Sequence, residues 1–180
     1  MKTLLLIACI FFANTALGQY FTLTHEGFVS NDKKNYVVMD VPETAKAVLF
    51  KNMLSALTSM YTDPKKALSV VEGESITITG FHPKALPNKL HKNVYDMEYT
   101  VNIQFKDNKI RIDAPTFDLG YTSYSGAYIK QVLVTEGFTK QGIFSKNGSV
   151  SLKRTKEALD VYFNDLIKEA LEKSKKTDDW

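Results

Sequence analysis

The stretch YTVNIQFKDNKIRIDAPTF, residues 99–117, constrains the fold more than any other. Tyr99, Val101, Ile103 and Phe105 alternate with Thr100, Asn102 and Gln104. After Lys106-Asp107-Asn108-Lys109, Ile110 and Ile112 alternate with Arg111 and Asp113. A period of two over both runs, broken by a polar turn, predicts an antiparallel hairpin whose strands each have one apolar and one polar face. A hairpin of this kind is not stable alone. Its apolar side needs a cover, and its polar side is suited to water. The first strand is expected to start near Tyr95, and Pro115 to blunt the end of the second.

The cover is visible on either side of the hairpin. In residues 44–61 the spacing switches to helical, with Ala47, Phe50, Met53, Leu54, Leu57, Met60 and Tyr61 on one arc and Lys46, Lys51, Asn52, Ser55 and Ser59 mostly elsewhere. Pro42-Glu43-Thr44 reads as the helix start, with Thr44 as its cap, and Asp63-Pro64 as its end. A second amphipathic helix is expected from about Leu152 to Lys175, carrying Leu159, Tyr162, Phe163, Leu166, Ile167 and Ala170 on its apolar stripe. Met and aromatic residues at this spacing are read as core.

Further strands are expected at Asn35–Val41 and within residues 67–81, where Glu72-Gly73-Glu74 makes a turn and Ile76 and Ile78 alternate with Thr77 and Thr79. HPKALPNKLHKN, residues 82–93, has two prolines and no period, and is expected to be a loop. Residues 118–150 are punctuated by glycine and by Tyr121, Tyr124 and Tyr128. Here Ile129–Thr135 fits a strand or a short helix equally.

At the N-terminus, Lys2 precedes an apolar run from Leu4 to Ala13, shorter than the roughly 20 residues of a membrane-spanning helix. Ala16-Leu17-Gly18 supplies small residues for a signal peptidase. The expectation is export, with cleavage near Gly18-Gln19 and a periplasmic or secreted product. Lipidation at Cys9, within Leu6-Ile7-Ala8-Cys9, is the alternative. Cys9 is the only cysteine, so the processed chain would have neither disulfides nor thiol chemistry. No later apolar run approaches a membrane span, and a formal charge of +3 is no nucleic-acid footprint. The organisation expected is a signal over 1–18, a loose lead-in over 19–33, one α+β core over 34–117, a Tyr/Gly-rich connection over 118–150 and a terminal helix over 151–176 packed on the same domain.

The order strand, helix, four strands, long connection, helix carries a family resemblance. KNYVVMDVPETAKAVLFKNMLSALTSMY, LSVVEGESITITGF and YDMEYTVNIQFKDNKIRIDAPTF resemble the bacterial family catalogued as domain of unknown function 4468. Members of that family are typically exported by Gram-negative bacteria. The resemblance covers roughly residues 34–117 and implies a fold similar to one half of the TATA-binding protein, a curved antiparallel sheet with helices on one face. It implies no functional residue. Many members carry a large aromatic in mid-helix where this chain has Ser55-Ala56-Leu57.

No catalytic signature stands out. His82 and His91 share one loop without a carboxylate between them, and no spacing enforces a metal site. There is no Gly-x-Ser-x-Gly elbow and no phosphate-binding Gly-Lys-Ser/Thr loop. Asp96 and Glu98 share a strand face, which a wet face tolerates. Asn147-Gly148-Ser149 reads as a turn. The candidate binding residues are Lys84, Lys89, His91 and Lys92 in the basic loop, Tyr121, Tyr124 and Tyr128 in GYTSYSGAY, and Thr100, Asn102 and Gln104 on the polar sheet face. The sequence therefore points to a non-catalytic binding module for a protein or glycan, with no cofactor and no nucleic-acid partner. The alternatives are a hydrolase with an acid and histidine cluster from distant strands, drawn from His82, His91, Asp96 and Asp118, and a structural envelope subunit that adds its sheet edge to an assembly.

Overall fold

The computed structural model describes residues 19–87, 94–137 and 141–175, so the expected signal segment and the lipidation alternative at Cys9 lie outside the described residues. The elements in chain order are β1 (Thr22–Thr24), β2 (Gly27–Val29), β3 (Tyr36–Asp40), α1 (Lys46–Met60), α2 (Pro64–Ala67), β4 (Leu68–Val71), β5 (Ser75–Pro87), β6 (Val94–Lys106), β7 (Lys109–Asp113), β8 (Thr116–Thr122), β9 (Tyr128–Gln131) and α3 (Lys153–Ser174).

Strand β6 organises the sheet. One of its edges pairs with β5 from Val94 to Gln104. The other pairs first with β8, over Asp96 to Thr100, and then with β7, over Ile103 to Lys106. β7 and β8 are thus one path along β6, interrupted at Ala114-Pro115, where the Ala114 amide turns outward to the Asn35 carbonyl at 2.8 Å. With β3 on β7, β4 on β5 and β9 on β8, the result is a curled, antiparallel seven-stranded sheet. The hairpin expected at residues 99–117 is present, with Lys106 opposite Lys109.

The alternation along β6 is carried through as burial. Tyr95, Met97, Tyr99, Val101, Ile103 and Phe105 are buried, while Thr100, Asn102 and Gln104 are half-exposed. Helices α1 and α3 pack on each other and on the buried side. Phe50 of α1 meets Phe105 edge-on at 5.5 Å. Phe163 of α3 meets Tyr99, Phe28 and Phe117 at 5.6, 5.1 and 6.2 Å between ring centres, so one ring joins three segments. Ala47, placed by spacing on the apolar arc, is exposed. The helix starts at Lys46, and its buried residues are Leu49, Phe50, Met53, Ala56 and Leu57.

Three expectations are corrected. First, the lead-in is not loose. β1 and β2 form a hairpin with Phe21, Leu23 and Phe28 buried, so the sheet's oily side has a third cover. Its exposed backbone is satisfied by α3. Asn164 Oδ1 accepts from the amides of Tyr20 and Phe21 at 2.5 and 3.1 Å, Asn164 Nδ2 donates to the Phe21 carbonyl at 2.8 Å, and Asp160 Oδ1 accepts from the Leu23 amide at 2.7 Å. Second, Thr44 does not cap α1. The N-cap is Ala45, with no bond from its own side chain, and Thr44 Oγ1 donates to the Pro42 carbonyl. The capping groups come from the β6–β7 turn: Asp107 Oδ1 accepts from the Lys46 amide at 2.8 Å, and Asn108 Oδ1 from the Thr44 amide at 3.0 Å. Helix starts leave amides unpaired, and here a distant turn supplies the acceptors. Third, residues 82–87 continue β5 rather than forming a loop. A register shift between His82 and Leu86, with Lys84 at φ +54°, absorbs Pro83 in a bulge, after which Leu86 resumes pairing with Tyr95 and Pro87 stands opposite Val94.

The described part of residues 118–150 holds a further hairpin, β8–β9, and bridges from Phe144 to Val134 and Val150. Within Ile129–Thr135, only the start is strand. Ile143 and Phe144 are buried in the main core, and Gly148 lies against the His25 ring beside the β1–β2 turn. This segment therefore covers the helix side of the sheet.

Replacing Asn164 by Ala strands two amides and a carbonyl at a buried site and should lower stability by about 2–4 kcal/mol in urea denaturation. Asp107→Ala should cost about 1 kcal/mol through the lost cap, while Thr44→Ala should change stability by less than about 0.5 kcal/mol.

Candidate functional site

Among the described residues, no helix packs on the second face of the sheet. It presents Tyr36 and Val38 of β3, Arg111 and Asp113 of β7, the polar row of β6 and Thr77, Thr79 and Phe81 of β5, and, along the same edge of β6 as β7, Asp118 of β8 with Tyr128 and Lys130 of β9.

The polar row is held rigidly. Asp113 accepts from Asn102 Nδ2 at 2.8 Å, from Gln104 Nε2 at 3.1 Å and from Arg111 Nε at 2.8 Å. Thr77 Oγ1 donates to Asn102 Oδ1 at 3.2 Å, and the Arg111 guanidinium lies 4.1 Å over the Tyr36 ring. Thr100, Asn102 and Gln104, expected to meet water and a ligand, do stand on this face, with both amide side chains engaged by their neighbours.

At the other end of the face, Tyr128 lies across the strands. A Cβ at Gly120 would come within 2.2 Å of its ring, so the absent side chain is what lets the ring rest on the backbone. The ring is 62% exposed, and Phe81, opposite Glu98, is 61% exposed. Asp96, Glu98 and Asp118 lie around Tyr128, and with burial they raise its phenol above the usual range, burial being the largest cause. Asp96 Oδ1 accepts from the Lys84 amide at 2.9 Å and so braces the β5 bulge. Lys130 Nζ pairs with Asp118 at 2.6 Å.

The other candidate residues are dispersed. Tyr121 is half-buried and stacks edge-on against Tyr95 at 5.8 Å. Tyr124, 89% exposed, stands at the β8–β9 turn. Lys84 serves through its backbone, and Lys89, His91 and Lys92 lie outside the described residues. His82 faces the helix side, where its ring meets Tyr162 at 5.9 Å, whereas Asp96 and Asp118 are on the open face. His82 and Asp118 nevertheless both line one cavity of about 790 Å³, which Asp96 does not reach. Phe81 was missed as a site residue. Its place in the Ile76, Ile78, Gly80 run marks it as the odd member of the alternation, and that was the available signal.

On the helix side, the Tyr61 and Tyr99 hydroxyls lie 3.3 Å apart, and Tyr162 meets Tyr99 edge-on at 5.6 Å. A Cβ at Gly80 would come within 2.2 Å of the Tyr99 ring, so glycine again makes room for a tyrosine. Burial first, and hydrogen bonding to Tyr99 second, push the Tyr61 and Tyr162 phenols well above the tyrosine range. Tyr95, which donates to Gln131 Oε1 at 2.8 Å, is pushed up to about 12, mainly by burial.

Residues 36–119 match the family model described as a domain of unknown function (DUF4468) with TBP-like fold. This stretch is similar to a DUF4468 domain. Two solved structures share the fold. One is a TBP-like protein from Parabacteroides distasonis ATCC 8503, at 15% identity and TM-score 0.54, with 79% of this chain and 92% of that one covered. The other is a DUF4468 family protein from Bacteroides ovatus ATCC 8483, at 10% identity and TM-score 0.50, with 81% and 87% covered. No curated protein matches the sequence. The matched residues hold β3 to β7 with the first part of β8, whereas β1, β2, β9 and α3 lie beyond them.

The raised tyrosines give a signed pH dependence. An unfolded tyrosine ionises near pH 10, and Tyr61, Tyr95 and Tyr162 keep their protons to higher pH when folded. Above about pH 10 the unfolded chain binds fewer protons than the folded one, so stability falls as pH rises, and it is fully present below pH 10. Denaturation midpoints should hold steady to about pH 9.5 and drop towards pH 12. Absorbance at 295 nm should show these phenols ionising only as the chain unfolds.

Proposed function

We propose that the protein is an exported, non-catalytic binding module that engages a glycan or a protein through the open sheet face. The observation that carries this reading is that one open face holds two exposed rings, Phe81 and Tyr128, towards one end and polar side chains locked in place towards the other. Rings that stay exposed at low entropic cost, on the same face as pre-ordered hydrogen-bonding groups, are the makings of an interaction surface. Tyr128 lying over Gly120 offers its outer face as a flat platform among carboxylates, an arrangement suited to stacking on a sugar ring.

The face is poorly suited to nucleic acid. Lys109, Arg111 and Lys130 are each held by a carboxylate, at 3.4, 2.8 and 2.6 Å from Asp40, Asp113 and Asp118. A phosphate backbone needs free cations. Export rests on the N-terminal sequence.

A second reading is supported at the β4 edge. Val70 and Val71 point to opposite sides of the sheet and are 40% and 58% exposed, which is unusual for a terminal strand and suits one that continues into a neighbour. Light scattering of a concentrated solution distinguishes that subunit role from a monomeric binder.

Glycan-array and envelope-extract binding should be seen with the purified protein. Phe81→Ala and Tyr128→Ala should each weaken that binding about tenfold or more while leaving the thermal midpoint within a few degrees. Binding that both variants retain in full, or no binding above background, would overturn the proposal.

A further inference from the structure

A groove of about 700 Å³ runs on the helix side between the end of α1, the β5 bulge and α3, away from the open face. Its size is that of a small-ligand site. Tyr61, Tyr99, Tyr162 and His82 supply its aromatic walls. These rings meet at steep angles: 72° between Tyr99 and Tyr162, and 87° between His82 and Tyr162. Perpendicular rings form a corner, and the faces of such rings carry negative charge density. Leu86 and Leu166 add an apolar wall.

Among the described residues, the groove's charged side chains are all acidic: Glu157, Asp165 and Glu169 lie along one face of α3, and no described lysine or arginine lines the groove. This contrasts with the chain's formal charge of +3. Glu157 and Glu169 are paired along the helix with Lys153 and Lys173, at 3.7 and 3.1 Å, both ammonium groups lying outside the groove. Asp165 lies between them. A site with electron-rich ring faces, phenol oxygens and carboxylates favours a positive charge, and its apolar wall favours a short hydrocarbon stem. An anion would meet repulsion from the acids, and a neutral apolar ligand would leave the acids and phenols without any gain.

We propose that this groove, walled by Tyr61, Tyr99, Tyr162 and His82 and rimmed by Asp165 and Glu169, binds a small organic ammonium ion with an apolar stem. The cation sits at the ring corner, and the stem lies along Leu86 and Leu166. The same four rings also line an adjoining cavity of about 790 Å³ that reaches Phe81 and Lys66, but the cation site uses their other side, towards α3, and stands whether or not the open face binds a glycan.

The test is an NMR titration of the isotopically labelled protein with hexyltrimethylammonium, matched by hexane-1-sulfonate, which has the same stem and the opposite charge. The ammonium should shift the ring resonances of Tyr61, Tyr99 and Tyr162 and saturate in the millimolar range or tighter, and the sulfonate should not. Asp165→Asn combined with Glu169→Gln, both on the surface of α3, should weaken binding about three- to tenfold. Tyr162→Phe keeps the ring face and should stay within about twofold, while Tyr162→Leu should lose about tenfold. Equal responses to cation and anion, shifts centred elsewhere, insensitivity to the acid substitutions, or a groove closed by a second copy of the chain would each overturn the proposal.

Discussion

Strand β6 must bury one side and wet the other, and the molecule is arranged around that requirement. Its thirteen residues pair along both edges, so all six of the sheet's other strands are placed by it directly or through one neighbour. A slip of one residue would carry Thr100, Asn102 and Gln104 into the space now filled by Val101 and Ile103, and every paired strand would have to follow. The two helices and the β1–β2 hairpin are three answers to the same demand, that the odd-numbered side be shielded from water.

Two polar latches fasten these covers. The Asp107-Asn108 turn holds the start of α1, and Asn164 with Asp160 holds the backbone of the first hairpin. Each uses side chains to satisfy backbone groups far away in sequence, which ties a helix to a turn or a strand without a larger apolar contact. Two glycines play the complementary part. Gly80 and Gly120 remove a Cβ where Tyr99 and Tyr128 must lie on the backbone, one ring on each side of the sheet. A small residue opposite a large one thus sets the position of both aromatic groups on which the functional proposals rest.

The two surfaces differ in kind. The open face is broad, with its polar groups engaged to one another and its rings raised at one end. The helix-side groove is narrow, with aromatic walls and acids along one rim. They share the β5–β6 ladder, Phe81 and His82 being neighbours in sequence that face opposite ways. A sheet one residue thick can therefore carry two chemically distinct sites without either needing a loop scaffold.

The period-two pattern of residues 99–113, the helical spacing of 44–61 and the apolar stripe of 152–175 determined the class of fold, because burial on one side imposes a local periodicity that survives in the order of residues alone. The polar row of the open face was legible for the same reason. What only the tertiary structure decided was long-range pairing. Nothing near Thr44 shows that Asp107 caps the helix. Nothing near Pro83 shows that it rides in a bulge while Leu86 finds Tyr95, and nothing in the short lead-in shows that Asn164 waits for its backbone. Hydrogen bonds and ring contacts between distant segments leave no period in the chain. They become visible only once the sheet has brought their partners together.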